Sequence, residues 1–257
     1  MVQEPARGET GLQIESAELS LLGNREENQD RVVVATSDDA TLILAVDGMG
    51  GHMDGARAAE LTSEIVRKEF DAASHPIFDP QGFLHLAMGK AHDALIKLGE
   101  DLSIEARPRA TCAACLIQDG AAYWGHVGDS RIYHLRGQQI QERSRDHSHV
   151  ETLLQEGLID ESEIADHPMR NFVDSCLGGD PSLPQMTIPS NKTLESGDVM
   201  LVCTDGFWSG LDDEQIAGLG ADDANLADDL QALSEVAVKA SAPHSDNTSA
   251  AALRWIR

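Results

Sequence analysis

Four aspartates, Asp47, Asp129, Asp205 and Asp246, each stand where an apolar, strand-forming run meets a turn. Three of them adjoin a glycine, at Gly48, Gly128 and Gly206. The densest of these junctions is TLILAVDGMGGH, Thr41 to His52. Its apolar opening reads as a buried strand. A carboxylate, the bare carbonyl of Gly48 and the imidazole of His52 then follow within a few residues. Hard divalent cations take oxygen ligands of this kind. No Cys and His set has tetrahedral spacing, which argues against zinc. Taken singly, each aspartate also fits an ordinary Gly-Asp turn, and a short Gly-rich loop is weak evidence. Arg25, in the polar turn GNREENQD (residues 23–30), has the fork that holds phosphate bidentately, and it equally suits a surface pair with Glu26 or Glu27.

Elements that would position these groups can be read from periodicity. Strands are expected over Leu12 to Leu22, Arg31 to Thr36 and Thr41 to Val46, with Asp30 opening the second and Asp47 ending the third. Helical spacing covers Gly55 to Phe70, then Pro80 to Leu102 with Phe83, Leu86, Ala87, Ala91, Ala94, Leu95 and Leu98 on one buried face. His85 and His92 on that helix read as packing or surface residues. Strands resume at Ala110 to Gln118 and Ala121 to Val127, joined by Asp119-Gly120, a strong hairpin signal. Ile132 to Leu135, Gln138 to Glu142, Asp198 to Thr204 and Ser249 to Ile256 complete the strands, with a helix over Asn225 to Lys239. The less regular Arg145 to Asn171 reads as an insertion that covers or flanks a site.

Composition bounds the rest. The 257 residues contain no linker-like tract, so one domain over 1–257 is expected. Asp and Glu number 44 against 19 Lys and Arg, a net charge of −25, which argues against a nucleic-acid partner or an anionic membrane surface. No run is apolar and long enough for a membrane span. The polar start, MVQEPARGETG, lacks a signal-like core, so a cytoplasmic location is expected. Cys112 and Cys115 form a C-x-x-C inside an apolar strand and read as small buried hydrophobes.

Several ordered motifs taken together are more specific than any one. Arg25, Asn28 and Asp30, then Asp47 to His52, Gly128-Asp129-Ser130-Arg131, Asp205-Gly206 and Asp246-Asn247 run nearly the length of the chain. In this the sequence resembles the metal-dependent type-2C (PPM) serine/threonine protein phosphatases in their compact bacterial form. The resemblance implies an α+β fold, a four-layer α-β-β-α sandwich of two antiparallel sheets with outer helices. It also implies a phosphoserine and phosphothreonine hydrolase using Mn²⁺ or Mg²⁺, two ions in a core site and a third, weaker one. Asp47 would bridge two ions, the Gly48 carbonyl would ligate one, and Asp205 and Asp246 would complete the other's shell. Asp129 would hold the third ion, and Asp30 would orient water from behind the ligands. Arg25 would clamp the substrate phosphate, His52 would protonate the leaving alkoxide, and Asn247 would support the ligands. Residues 145–171 would form a flap. Phosphorylated proteins and a cognate bacterial serine/threonine kinase are the implied partners.

Two positions depart from the family pattern. Gln29 stands where Glu is usual, so it can bond a water but brings no charge. Ser175 stands where many bacterial relatives have arginine, near the end of the flap.

Overall fold

The structure, a computed structural model, describes residues 12–49, 53–164, 167–221 and 225–257. Residues 50–52, and with them the expected role of His52, lie outside the described residues.

Near the amino end run β1 (Ile14–Leu21), β2 (Asp30–Thr36) and β3 (Ala40–Met49), then helices α1 (Met53–Ala72) and α2 (Pro80–Leu98). Strands β4 (Arg109–Ala110), β5 (Cys112–Gln118), β6 (Ala121–Val127), β7 (Arg131–Arg136) and β8 (Gln139–Arg143) follow. The short helices α3 (His149–Gln155) and α4 (Glu161–Ile164) lie in the 145–171 segment. Next come β9 (Leu177–Gly178), β10 (Lys192–Thr193) and β11 (Val199–Cys203). Helices α5 (Asp205–Trp208), α6 (Asp213–Ala217) and α7 (Leu226–Ala240) precede the closing β12 (Thr248–Trp255).

These strands make two antiparallel sheets. One has the order β1-β12-β11-β7-β8; the other has the order β10-β6-β5-β3-β4-β9, with β2 paired to β3. Alternation along each strand sorts the side chains into three apolar layers. Ile43 and Ala45 of β3 pack with Ala113 and Ile117 of β5 against Met200, Val202, Ala251 and Leu253 of the facing sheet. The neighbours Leu42, Leu44 and Val46 point the other way, onto Ala58, Val66, Leu84 and Met88 of α1 and α2. On the far side, Leu201, Ala250 and Ala252 pack under Leu226 and Leu230 of α7. This is the expected α-β-β-α sandwich.

Several boundaries differ from the sequence reading. β3 does not stop at Val46: Gly48 and Met49 continue it by pairing with Ala110 and Arg109 of β4, so Asp47 sits within the strand. The run 110–118 is broken at Thr111, which leaves the ladder to bond Asp47. Helix α2 ends at Leu98, with the Gly99 N–H bonding back to Leu95 and Lys97. Its buried face runs through Leu84, Ala87, Met88, Ala91, His92 and Leu95, while Leu86 is 55% exposed. His92 is therefore a core residue, and its Nδ1 accepts from the Gly178 N–H at 3.1 Å. Cys112 belongs to the helix-side layer and Cys115 to the inter-sheet layer. Three residues apart on a strand, they face opposite ways, so they share no zinc or redox site. Among the described residues no helix is long and apolar enough to cross a membrane.

Candidate metal and phosphate site

The acidic residues gather at the rim where both sheets end. Asp30 opens β2 directly opposite Asp47 of β3 in the antiparallel register. Asp47 has the parity of Ile43 and Ala45, and Asp30 that of Val32 and Val34, so both carboxylates enter the space between the sheets. From the facing sheet, Asp205 follows β11 as the first residue of α5, and Asp246 lies two residues before β12. Asp129 sits at the corner between β6 and β7.

Local bonds fix this arrangement. The Thr204 hydroxyl donates to Asp30 Oδ2 at 2.8 Å. The Asp47 N–H donates to Thr111 Oγ1 at 3.0 Å, and the Thr111 N–H donates to the Asp47 carbonyl at 2.8 Å. Thr111 Oγ1 also lies 2.7 Å from Ser130 Oγ, which ties the β3 aspartate to the Asp129 corner. At Gly48, a Cβ would stand 1.9 Å from the Gly55 carbonyl oxygen, so the approach of β3 to α1 requires glycine. Gly206 is equally constrained, 2.0 Å from the Asn247 carbonyl oxygen by the same measure.

Asn247 is the joint of the site. Its Oδ1 accepts from the Gln29 N–H at 2.8 Å, and its Nδ2 donates to the Leu22 and Glu27 carbonyls at 2.8 and 3.1 Å. One buried side chain thereby holds the turn carrying Arg25, Gln29 and Asp30 against the residue that follows Asp246. Arg25 reaches Asp246, with Nη2 at 2.5 Å from Oδ2. At the other side, Arg131 makes a two-pronged bond to Asp146, both contacts 2.8 Å, and lies 3.4 Å above the Trp208 ring. Trp208 Nε1 donates to the Asp129 carbonyl at 3.0 Å.

The electrostatics follow from crowding like charges in a buried place. Burial, then repulsion from Asp30, Asp205, Asp129 and Asp246, holds the Asp47 carboxyl well above the usual range. Burial, followed by Asp205 among its neighbours, pushes Asp129 up to about 8. Burial raises Asp30 to about 7 despite the Thr204 hydrogen bond, and burial with Asp246 raises Asp205 to about 6. Among the described residues, no three acidic, His or Cys side chains already converge on one point. The donor set suits hard divalent cations: carboxylates and a carbonyl, all oxygen, with mutual repulsion that a cation would relieve.

Each described residue that the motifs single out is at this rim or bonded to it, apart from Ser175, whose hydroxyl donates to the Gln185 carbonyl at 3.2 Å in the return from the 145–171 segment. Sequence reasoning did not reach Thr111, Thr204, Trp208 or Asp146. Thr204 had a signal, since it precedes Asp205 at a helix start; Thr111 had none.

Comparisons with known proteins agree with this geometry. The protein phosphatase 2C family model matches residues 20–244. The protein phosphatase PhpP of Streptococcus pneumoniae is 29% identical over 84% of this chain and 89% of its own length. A serine/threonine phosphatase from S. agalactiae superposes with a TM-score of 0.84 at 26% identity, covering 95% of this chain and all of that one. A PstP catalytic domain in complex with two manganese ions superposes with a TM-score of 0.79 at 26% identity, covering 95% and 99% of the two chains. On the extent of the family match together with the sandwich and its acidic rim, this chain belongs to the protein phosphatase 2C family.

Proposed function

We propose that the protein removes phosphate from phosphoserine and phosphothreonine in other proteins, using divalent cations held at the inter-sheet rim. The observation that carries this reading is the set Asp47, Asp205, Asp129 and Asp246 beside Arg25, where two sheets end together. In this reading Asp47, the Gly48 carbonyl, Asp205 and Asp246 would hold the core pair of cations, and Asp129 would hold a third. Bound Mn²⁺ or Mg²⁺ would supply Lewis acidity, acidifying a water nucleophile and offsetting charge on the phosphoryl group.

The remaining chemistry falls to the chain's own residues. Arg25, on the turn that Asn247 holds, offers its guanidinium fork to two phosphoryl oxygens, which positions phosphorus and stabilises equatorial charge. Asp30, kept in place by Thr204, orients water rather than binding substrate. Gln29 leaves this side of the rim one charge poorer, so cation binding there is weaker than with Glu. His52 is assigned the leaving-group proton. The 145–171 segment acts as a flap within a single domain. A serine/threonine kinase would supply the phosphorylated proteins. All four cysteines are free, which suits the reducing cytoplasm.

The test is hydrolysis of an aryl phosphate and of a phosphothreonine peptide with Mn²⁺, with Mg²⁺ and with EDTA, for the native chain and Asp246→Ala. Metal-dependent activity that collapses in the variant is expected. Absence of turnover with either metal would sink the assignment.

A further inference from the structure

Beside the acidic rim lies a cavity of about 1210 Å³, walled by residues of the stretch 145–155, of the return 171–189, and of the ends of β6 and β8. It adjoins the site just described. Met49, two residues beyond Asp47, is in its wall, and so is Asp146, whose charge acts on both Asp129 and Asp205.

The charges of this wall are unbalanced. Glu142 is held by Lys192 at 2.6 Å and Asp146 by Arg131 at 2.8 Å. Glu105, Glu151, Asp174 and Asp180 also line the cavity, and among the described residues none of the four makes an ion pair with Lys or Arg. Of the arginines in the wall, Arg143 is drawn towards Asp213 at 3.7 Å, and Arg109 spends its guanidinium on the Ile104 and Glu105 carbonyls. Arg109 still acts on Glu105 and Arg107 on Asp180, which leaves Glu151 and Asp174 as the carboxylates of this wall with least cationic compensation, His149 standing 3.9 Å from Asp174. His126 also lines the cavity, 1% exposed, and its Nε2 donates to the Arg145 carbonyl at 2.7 Å, which fixes the backbone of Arg145 in the wall.

We propose that this cavity receives the residues flanking the phosphorylated side chain and selects basic ones, so that the preferred substrates are phosphoserine and phosphothreonine sites with neighbouring Arg or Lys. The inference rests on the phosphatase reading given above. The overall charge of −25 draws basic segments in from a distance, while Glu151 and Asp174 decide the choice at contact.

Matched phosphothreonine peptides carrying Arg and Lys, or Glu and Asp, at the flanking positions test this. Their kcat/KM values would be compared at low and at physiological salt, and their affinities measured in parallel by fluorescence anisotropy. The basic peptide should lead by about tenfold at low salt and by less as salt screens the contact. Each exposed charge contact is worth up to about fivefold, so Glu151→Gln with Asp174→Asn should cut the ratio by at least about threefold. Aryl phosphate hydrolysis should stay unchanged. The same charge loss on α7, Asp229→Asn with Glu235→Gln, should leave the ratio intact. Equal rates and affinities for the two peptides, or an equal loss of ratio from the α7 pair, would overturn the proposal. Failure of the native chain to hydrolyse aryl phosphate would strike the phosphatase reading instead, and anisotropy would still report whether the cavity prefers the basic peptide.

Discussion

Asp30 and Asp47 stand directly opposite each other across the β2–β3 ladder, with both side chains in the inter-sheet space. Opposed like charges destabilise a sheet, and here burial magnifies the cost. The pair therefore serves the site at the expense of the metal-free fold. Asp47→Asn removes one member of the pair. In EDTA the variant should melt about 2–4 °C above the native chain, the shift expected for about 1 kcal/mol in a domain of this size. In Mn²⁺ the order should reverse, and activity should fall by more than about 100-fold. Scanning calorimetry under both conditions decides it: a variant less stable than native in EDTA would mean that the repulsion is already relieved by other groups.

The same repulsion sets a pH dependence for the metal-free protein. Asp30, Asp205 and Asp129 have folded values raised from 3.8 to about 7, 6 and 8. A raised carboxyl holds its proton in the fold after the unfolded chain has lost it. Its contribution to stability is therefore complete below the unfolded value and is lost as pH climbs through the folded one. Metal-free stability should accordingly fall from about pH 4 to pH 8 through these groups. Denaturant titrations at pH 5 and pH 8 in EDTA measure the slope, and Asp30→Asn should flatten it. An unchanged slope in that variant would refute the assignment to this cluster.

Asn247 spends all its near-site hydrogen-bonding capacity on three backbone groups of residues 22–29. Asn247→Ala would leave those groups unpaired in a part-buried place, costing about 2–3 kcal/mol. Because that turn carries Arg25, KM for a phosphopeptide should rise as well. Asn247→Asp keeps the acceptor for the Gln29 N–H and loses both donors, so it should fall between. Urea midpoints with KM for the three proteins would check this, and an unshifted midpoint in the alanine variant would contradict the clamp.

Much of this was written in the sequence, and what was missing had physical reasons. Unbroken runs of apolar and small residues in β3, β5 and β12 marked strands buried on both faces, and Asp119 and Gly120, with φ of 51° and 69°, form the hairpin turn that their types demand. The aspartates were legible because each ends or adjoins a long apolar run. Strands β9 and β10, two residues each, carry no period to read. The inward face of α2 was legible at Ala87, Ala91 and Leu95 but not throughout, because apolar residues occur at two helical phases, and packing on α1 and β6 chose Leu84 and Met88 over Leu86. The break at Thr111 had no local signal, since its cause is the distant Asp47. Hydrogen bonds such as those of Asn247 join residues more than 200 positions apart, beyond any pattern in a window.

The Asp129 corner provides a last test, of a buried ion pair rather than a ligand. Arg131 and Asp146 are 15% and 9% exposed at their side chains, and Arg131 is also stacked on Trp208. Removing one partner of such a pair leaves the other buried and uncompensated, a loss of about 3 kcal/mol or more. Arg131→Met should therefore destabilise strongly, whereas Trp208→Phe, which gives up the Nε1 bond to the Asp129 carbonyl but keeps a ring, should cost about 1 kcal/mol. The discriminating protein is the double variant Arg131→Met with Asp146→Leu. If the cost lies in the orphaned carboxylate, replacing both charges by apolar groups should recover most of the lost stability while Asp129 remains without its neighbouring cation. If the corner depends on the bonds themselves, the double variant should be no better than the single. Urea midpoints separate the two outcomes.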